Sequence, residues 1–231
     1  MTSKTDRQVI RTRNTILAFV AIVAILVIGY GVLYISGVTD SDVTEGDDYR
    51  VIDDAPARRP GEPVLVREFF SYGCIHCRNL DPMIEEWQER LPEGVDFERT
   101  PVVFSPVWIL LAQTYYTLEA LDALDENHAR LFRAIHDNGR QFLSPDMMAD
   151  FVDGNGVSRD EFLRTFNSPG VRRKVAQSER DQRDLQIASV PTLVVAGRYV
   201  IGMDSGRKRA LEIADQLIAR ELAEQPGAPG S

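Results

Sequence analysis

Cysteine is scarce in this chain of 231 residues: there are two, Cys74 and Cys77, and no second pair. A structural zinc site normally takes four protein ligands, so the missing pair argues against one. No cysteine is left over to carry a lipid. Of the three histidines, only His76 lies near the cysteines. His128 and His136 fall in a charged, helical stretch and read as surface or helix-packing residues. A surplus of positive charge is missing too, since the formal net charge is -9. Residues 1–14 hold Lys4, Arg7, Arg11 and Arg13 against Asp6, a local +3 that leaves -12 for the remainder. An acidic body argues against nucleic acid as a partner. Charge is absent altogether from Ile16 to Ser36, and strand-like alternation is absent from Trp108 to about Arg183.

The uncharged run of 21 residues from Ile16 to Ser36 would span about 31 Å as a helix, close to the roughly 30 Å core of a bilayer. Arg11 and Arg13 precede it, and Asp40, Asp42, Glu45, Asp47 and Asp48 follow. The positive-inside rule then places 1–15 in the cytoplasm, makes 16–36 a transmembrane signal anchor and exports the body. A cleaved signal peptide is the competing reading. Its apolar region is usually about 7 to 15 residues and ends at a small-residue site, whereas the Ala-x-x-Ala spacings here fall inside the apolar run. An uncleaved anchor fits better. Either way the body reaches a compartment that permits disulfides.

In that setting Cys74-Ile75-His76-Cys77 reads as a redox dithiol, placed where a strand pattern gives way to a helix pattern. At a helix N-terminus, unsatisfied N–H groups and the helix dipole favour thiolate over thiol, which makes Cys74 the nucleophile. Cys77, one turn further on, can attack a mixed disulfide formed on Cys74 and is the resolving thiol. His76 is a second stabiliser of the thiolate. A purely structural bridge across two residues closes almost no loop and stabilises little.

Along the chain, Thr39 to Asp48 reads as a solvated acidic spacer, Tyr49 to Ile52 as a short edge strand and Asp53 to Pro63 as a loop. Val64 to Ser71 is expected to be a buried central strand. Cys77 to Leu91 is expected to be a helix with Leu80, Ile84, Trp87 and Leu91 on one face and a kink at Pro82. Val95 to Phe104 follows as a second strand. Helices then succeed one another, broken near Asp125-Glu126-Asn127, Asn138-Gly139, Leu143-Ser144-Pro145, Gly154-Asn155-Gly156 and Asn167 to Gly170. Ser144 and Ser158 open two of them. Val190 to Ala196 and Tyr199 to Ile201 form a hairpin, Lys208 to Leu222 a closing helix, and 223–231 a disordered tail.

Glu68 to Cys77, with the sequence Glu-Phe-Phe-Ser-Tyr-Gly-Cys-Ile-His-Cys, resembles the active-site segment of the DsbA family of exported thiol:disulfide oxidoreductases. Ser189-Val190-Pro191-Thr192 resembles that family's cis-proline loop, and Leu91 to Val95 its second-strand entry. The likeness runs from about Tyr49 to Leu222. It implies an α/β protein: a thioredoxin fold, 63–104 and 186–222, with an inserted all-helical domain, 105–185, behind a linker and edge strand, 37–62, and one N-terminal transmembrane helix. Catalysis is expected from Cys74, Cys77, His76 and Glu68, the last moving protons for Cys77 with Arg99 as its basic partner. Ile75, Val190 and Pro191, after a cis peptide bond, are expected to meet the substrate chain. Neither metal nor cofactor is implied. The partners implied are reduced or unfolded secreted proteins and a DsbB-type quinone-linked membrane oxidase, with the chain a monomer held in the bacterial inner membrane and its catalytic part in the periplasm. One departure stands out: the family's usual Pro between the cysteines is Ile75 here, while His76 is kept. The alternatives are a tethered reductase or isomerase using the same dithiol, and a peptide-binding module in which the dithiol is incidental.

Overall fold

A computed structural model describes residues 43–53 and 55–224, with four helical positions before them, Leu17, Val20, Ile22 and Val23. The rest of the expected span 16–36 lies outside the described residues, as do 1–15 and residues 225–231 of the tail. Among the described residues no helix is long and apolar enough to cross a membrane. The chain divides into Met1–Asp42 and Val43–Ser231, and the elements named here belong to the second unit.

Strands β1 (Arg50–Val51), β2 (Val64–Phe70), β3 (Val95–Pro101), β4 (Thr192–Val195) and β5 (Tyr199–Ile201) form one sheet in the order β1-β5-β4-β2-β3. β2 runs parallel to β3 and antiparallel to β4. Helix α1 (Ile75–Gln88) connects β2 to β3, as a parallel pair requires. Between β3 and β4 come α2 (Pro106–Ala120), α3 (Leu124–Phe132), a π-helical turn (Arg133–Asp137), α4 (Pro145–Val152), α5 (Arg159–Phe166) and α6 (Pro169–Asp184). Helix α7 (Arg207–Ala223) closes the fold.

Side chains alternate across a strand, so Val64, Val66, Glu68 and Phe70 share one face of β2. Val64 and Val66 pack there against Leu80, Ile84 and Trp87 of α1 and Leu217 of α7. Each such burial contributes about 2 kcal/mol. Trp87 Nε1 also donates to Asp215 Oδ1 at 2.7 Å, tying α1 to α7. Phe69, on the opposite face, packs with Val102, Val194 and Val200. The parity that buries the valines therefore also sets Glu68 under α1, where the next residues of the α1 face are Cys77 and Asp81.

Several boundaries differ from expectation. Helix α1 begins at Ile75 because the Cys74 sulfur serves as its N-cap, accepting from Cys77 N. It ends at Gln88, and Leu91 packs on the core from outside it. Pro82 lies within it. Strand β3 stops at Pro101, which pairs with Phe70, the last residue of β2, and Val102 N closes the ladder on Phe70 O at 2.8 Å. Phe104 leaves the sheet and faces Trp108 at 5.5 Å. The break expected at Asp125-Glu126-Asn127 is instead the first turn of α3, where acids favour the helix dipole. The chain turns just before it, with Asp122 at φ 52°. Ser144 and Ser158 cap α4 and α5 as expected. Thr44 to Asp48 is solvated as expected but is a turn rather than a free spacer, flanked by Val43 and Tyr49, both buried in the α1–α7 core. Asp48 pairs with Arg209 of α7.

Candidate active site

The site begins where β2 ends. Ser71 Oγ accepts from Gly73 N at 3.1 Å, and Ser71 O accepts from Cys74 N at 3.0 Å, so Ser71-Tyr72-Gly73 is a tight turn that delivers Cys74 to the start of α1. Gly73 is required by packing: a Cβ there would meet the Trp108 indole nitrogen at 2.6 Å. Cys74 is 7% exposed and Cys77 fully buried, both as free thiols. Cys77 N donates to Cys74 Sγ at 3.2 Å, and the Cys74 thiol faces Val190 O at 3.4 Å. Ile75 is 46% exposed beside them, and His76 is exposed too. The Val190-Pro191 peptide is cis. The structure thus brings Cys74, Ile75, His76, Cys77, Val190 and Pro191 together.

The two sulfurs are driven apart in acidity. The hydrogen bond from the Cys77 thiol lowers Cys74 from its ordinary 9.0 to about 6. Burial opposes this, while the N–H groups of Cys77 and His76 and the charge of His76 reinforce it. Cys77 is pushed strongly up, first by burial, then by the bond and charge of Cys74, with Glu68 adding to it. A thiolate is favoured on Cys74 and resisted on Cys77.

Glu68 is 2% exposed. It stands opposite Arg99 in the parallel register, and Arg99 Nε donates to Glu68 Oε2 at 3.0 Å. Burial raises Glu68 from 4.5 to about 7, although Arg99 pulls the other way. Burial opposes the charge on Arg99 as well, but Glu68, Asp81 and Glu85 outweigh it and hold the guanidinium charged.

Three participants escaped the sequence reading. Of the two roles expected for His128, surface or helix packing, the structure shows packing: it is 8% exposed, and its ring also joins Tyr72 Oη at 2.8 Å and Asp81 Oδ1 at 3.0 Å. The available signal was position, because His128 shares a helix face with Leu131 and Phe132. Asp81 lies one turn after Cys77 on the buried face of α1. Tyr72 packs against Phe70 and Phe132 at ring distances of 5.3 and 5.0 Å. His136 Nε2 donates to the Tyr72 carbonyl at 2.8 Å. Asp81, Glu85 and His128 offer ligand-type atoms within 4.8 Å of one another, but Arg99 Nη2 bonds both carboxylates, so a protein cation already fills that position.

A family model described as DSBA-like thioredoxin domain matches residues 65–216. The thiol:disulfide interchange protein DsbA of Pseudomonas aeruginosa is 36% identical over 185 residues, covering 79% of this chain and 87% of that protein. The DsbA of Pseudomonas syringae pv. tomato is 38% identical over 170 residues, covering 73% and 79%. The crystal structure of Pseudomonas aeruginosa DsbA superposes with a TM-score of 0.74 at 36% identity, covering 79% of this chain and 96% of that one. That of the oxidoreductase DsbA from Xylella fastidiosa gives 0.73 at 33%, covering 78% and 98%.

Proposed function

This chain belongs to the DSBA-like thioredoxin-domain family of thiol:disulfide oxidoreductases, and we propose that it works as an oxidase, introducing disulfides into exported proteins through Cys74 and Cys77. A substrate thiolate attacks Cys74 Sγ of the oxidised pair. A mixed disulfide forms on Cys74, and Cys77 leaves with the electron pair and takes a proton. Glu68, buried and held near neutral acidity, is suited to supply it. The substrate's second thiolate then attacks its own sulfur in the mixed disulfide and expels Cys74 as thiolate. The substrate gains a disulfide and the enzyme keeps the two electrons as a dithiol. A quinone-linked membrane oxidase of the DsbB type is the partner that removes them.

The observation that carries this reading is the unlike setting of the two sulfurs: Cys74 Sγ accepts from Cys77 N at 3.2 Å at the start of α1, whereas Cys77 is fully buried, which favours a thiolate on the first and resists one on the second. A stable Cys74 thiolate is the better leaving group and stabilises the reduced enzyme, which makes the disulfide the stronger oxidant. Ile75 and the cis-proline loop offer the substrate chain an apolar contact and a backbone edge beside Cys74. Equilibration with glutathione buffers tests the direction: a potential near about -120 mV is expected of an oxidase, and one near about -270 mV overturns it in favour of a reductase.

The reading includes a monomer tethered by 16–36 to the inner membrane with residues from 43 onward in the periplasm. Its support is the uncharged run and the charge contrast on its two sides. Most of the protein is expected to stay in the membrane fraction after alkaline carbonate extraction. Release into the supernatant would remove the anchor from the reading.

A further inference from the structure

A hydrogen-bonded chain runs beside the redox centre, and of its members only Glu68, at one end, enters the disulfide exchange. Tyr72 Oη lies 2.8 Å from His128 Nδ1, and His128 Nε2 lies 3.0 Å from Asp81 Oδ1. Arg99 Nη2 donates to the same Asp81 oxygen at 3.2 Å, and Arg99 Nε to Glu68 at 3.0 Å. The directions follow from what each group can do. Arginine only donates and an ionised aspartate only accepts, so His128 Nε2 carries the proton. Burial disfavours the charged imidazole, which leaves Nδ1 as acceptor for the Tyr72 hydroxyl.

We propose that His128 is a positioning residue of the redox centre: by donating to Asp81 it leaves Arg99 free to hold Glu68, and by accepting from Tyr72 it ties that network to the turn that delivers Cys74. The proposal rests on the proton-handling role of Glu68. Arg99 faces three carboxylates, Glu68 from β2 and Asp81 and Glu85 from α1. Glu68 in turn acts on Cys77 of α1 and Tyr115 of α2, pushing both up. His128 itself meets Tyr72, Asp81, Glu85, Arg99 and Tyr115. One guanidinium shared among three carboxylates satisfies each of them incompletely. The second donor on Asp81 reduces its demand on Arg99. Without that donor, Asp81 draws Arg99 away and Glu68, buried, holds its proton more tightly.

The π-helical turn gives this network a second hold. In a continuous α-helix, His128 and His136 would project roughly 80° apart. The wider π turn between them takes more residues per revolution and rotates His136 toward the face of His128. One histidine thus holds the Tyr72 side chain and the other its carbonyl, two residues before Cys74.

The test follows Glu68 directly in the reduced full-length chain, labelled with ¹³C at glutamate carboxyls, its signal assigned by loss in Glu68→Gln. His128→Asn keeps an acceptor for Tyr72 and places no donor at the Nε2 position. It is expected to raise the Glu68 midpoint by about half a pH unit or more. His128→Gln, whose amide reaches that position, should move it much less, and in an Asp81→Asn background the His128→Asn shift should vanish. Equal midpoints in wild type and His128→Asn, or the same shift with Asn and Gln, would overturn the proposal. Should His128→Asn fail to fold, His128→Leu, which also lacks a donor for Asp81, takes its place with the same expected rise, and an unchanged or lowered midpoint rejects the idea. Failure of the Glu68 role has a separate signature: Glu68→Gln would then leave the pH profile of disulfide transfer as it is in wild type.

Discussion

Cys74→Ser is expected to abolish disulfide transfer, a loss of at least about a thousandfold, because an alkoxide neither forms at neutral pH nor makes a disulfide. Cys77→Ser should fail differently. With Cys74 intact and no resolving thiol, it is expected to accumulate as mixed disulfides that non-reducing electrophoresis separates and reductant releases. The acidity of Cys74 sharpens the comparison. In the reduced protein, alkylation of Cys74 should rise through a midpoint near pH 6, with Cys77, fully buried, unreactive. The largest cause of that lowering is the hydrogen bond from the Cys77 thiol. Cys77→Ala removes the donor and should raise the midpoint by about a unit or more, whereas the serine hydroxyl should preserve most of it. Identical midpoints in the Ala and Ser variants would show that the helix terminus alone sets the acidity.

Arg99→Met is expected to cost about 1 kcal/mol more stability at pH 8 than at pH 5, since pH 8 lies only about one unit above the wild-type value of Glu68. Arg99 is the partner of a carboxylate that is 2% exposed, and removing one member of a buried pair leaves the other uncompensated. The sign with pH follows from Glu68. Its folded value is already raised, to about 7 against an ordinary 4.5, and losing Arg99 raises it further. A group raised on folding contributes most below its unfolded value and loses that contribution as pH climbs through its folded value. At pH 5 Glu68 is protonated in the folded variant and in wild type, so little is lost. At pH 8 the variant must either bury an unpaired charge or hold a proton that the unfolded chain has released. Asp81 keeps His128 and Glu85 is half exposed, so neither adds much. Denaturant midpoints at the two pH values measure the difference, and Glu68→Gln in the Arg99→Met background should recover most of it. An equal loss at pH 5 and pH 8 would mean that Arg99 acts through packing rather than charge.

What could be read from the order of residues is what depends on near neighbours. An apolar run marked β2 as a buried central strand, with Glu68 inside it. The pair of cysteines at a strand-to-helix junction defined the redox centre. Serine caps opened α4 and α5, because a cap bonds an N–H only two or three residues away. The Glu68–Arg99 pair was within reach as well, since it follows from the register of two strands joined by a single helix. Misplaced boundaries had local causes of another kind. A sulfur replaced the usual oxygen as the cap of α1, and acids at the start of α3 looked like a break although the helix dipole favours them there.

The amino-acid order by itself determined the chemistry: two thiols one helical turn apart, a histidine between them and a proline loop to face them. Only the tertiary structure decided how that chemistry is tuned. His128, Tyr72 and Asp81 come from α3, the turn after β2 and α1, and no periodicity relates residues on separate elements. Their meeting depends on how the helical segment packs against the end of β2 and on a π turn that carries no composition of its own. Burial, which raises Glu68 and Cys77, is a property of that packing, because the solvation of a charge is set by everything around it rather than by its neighbours along the chain.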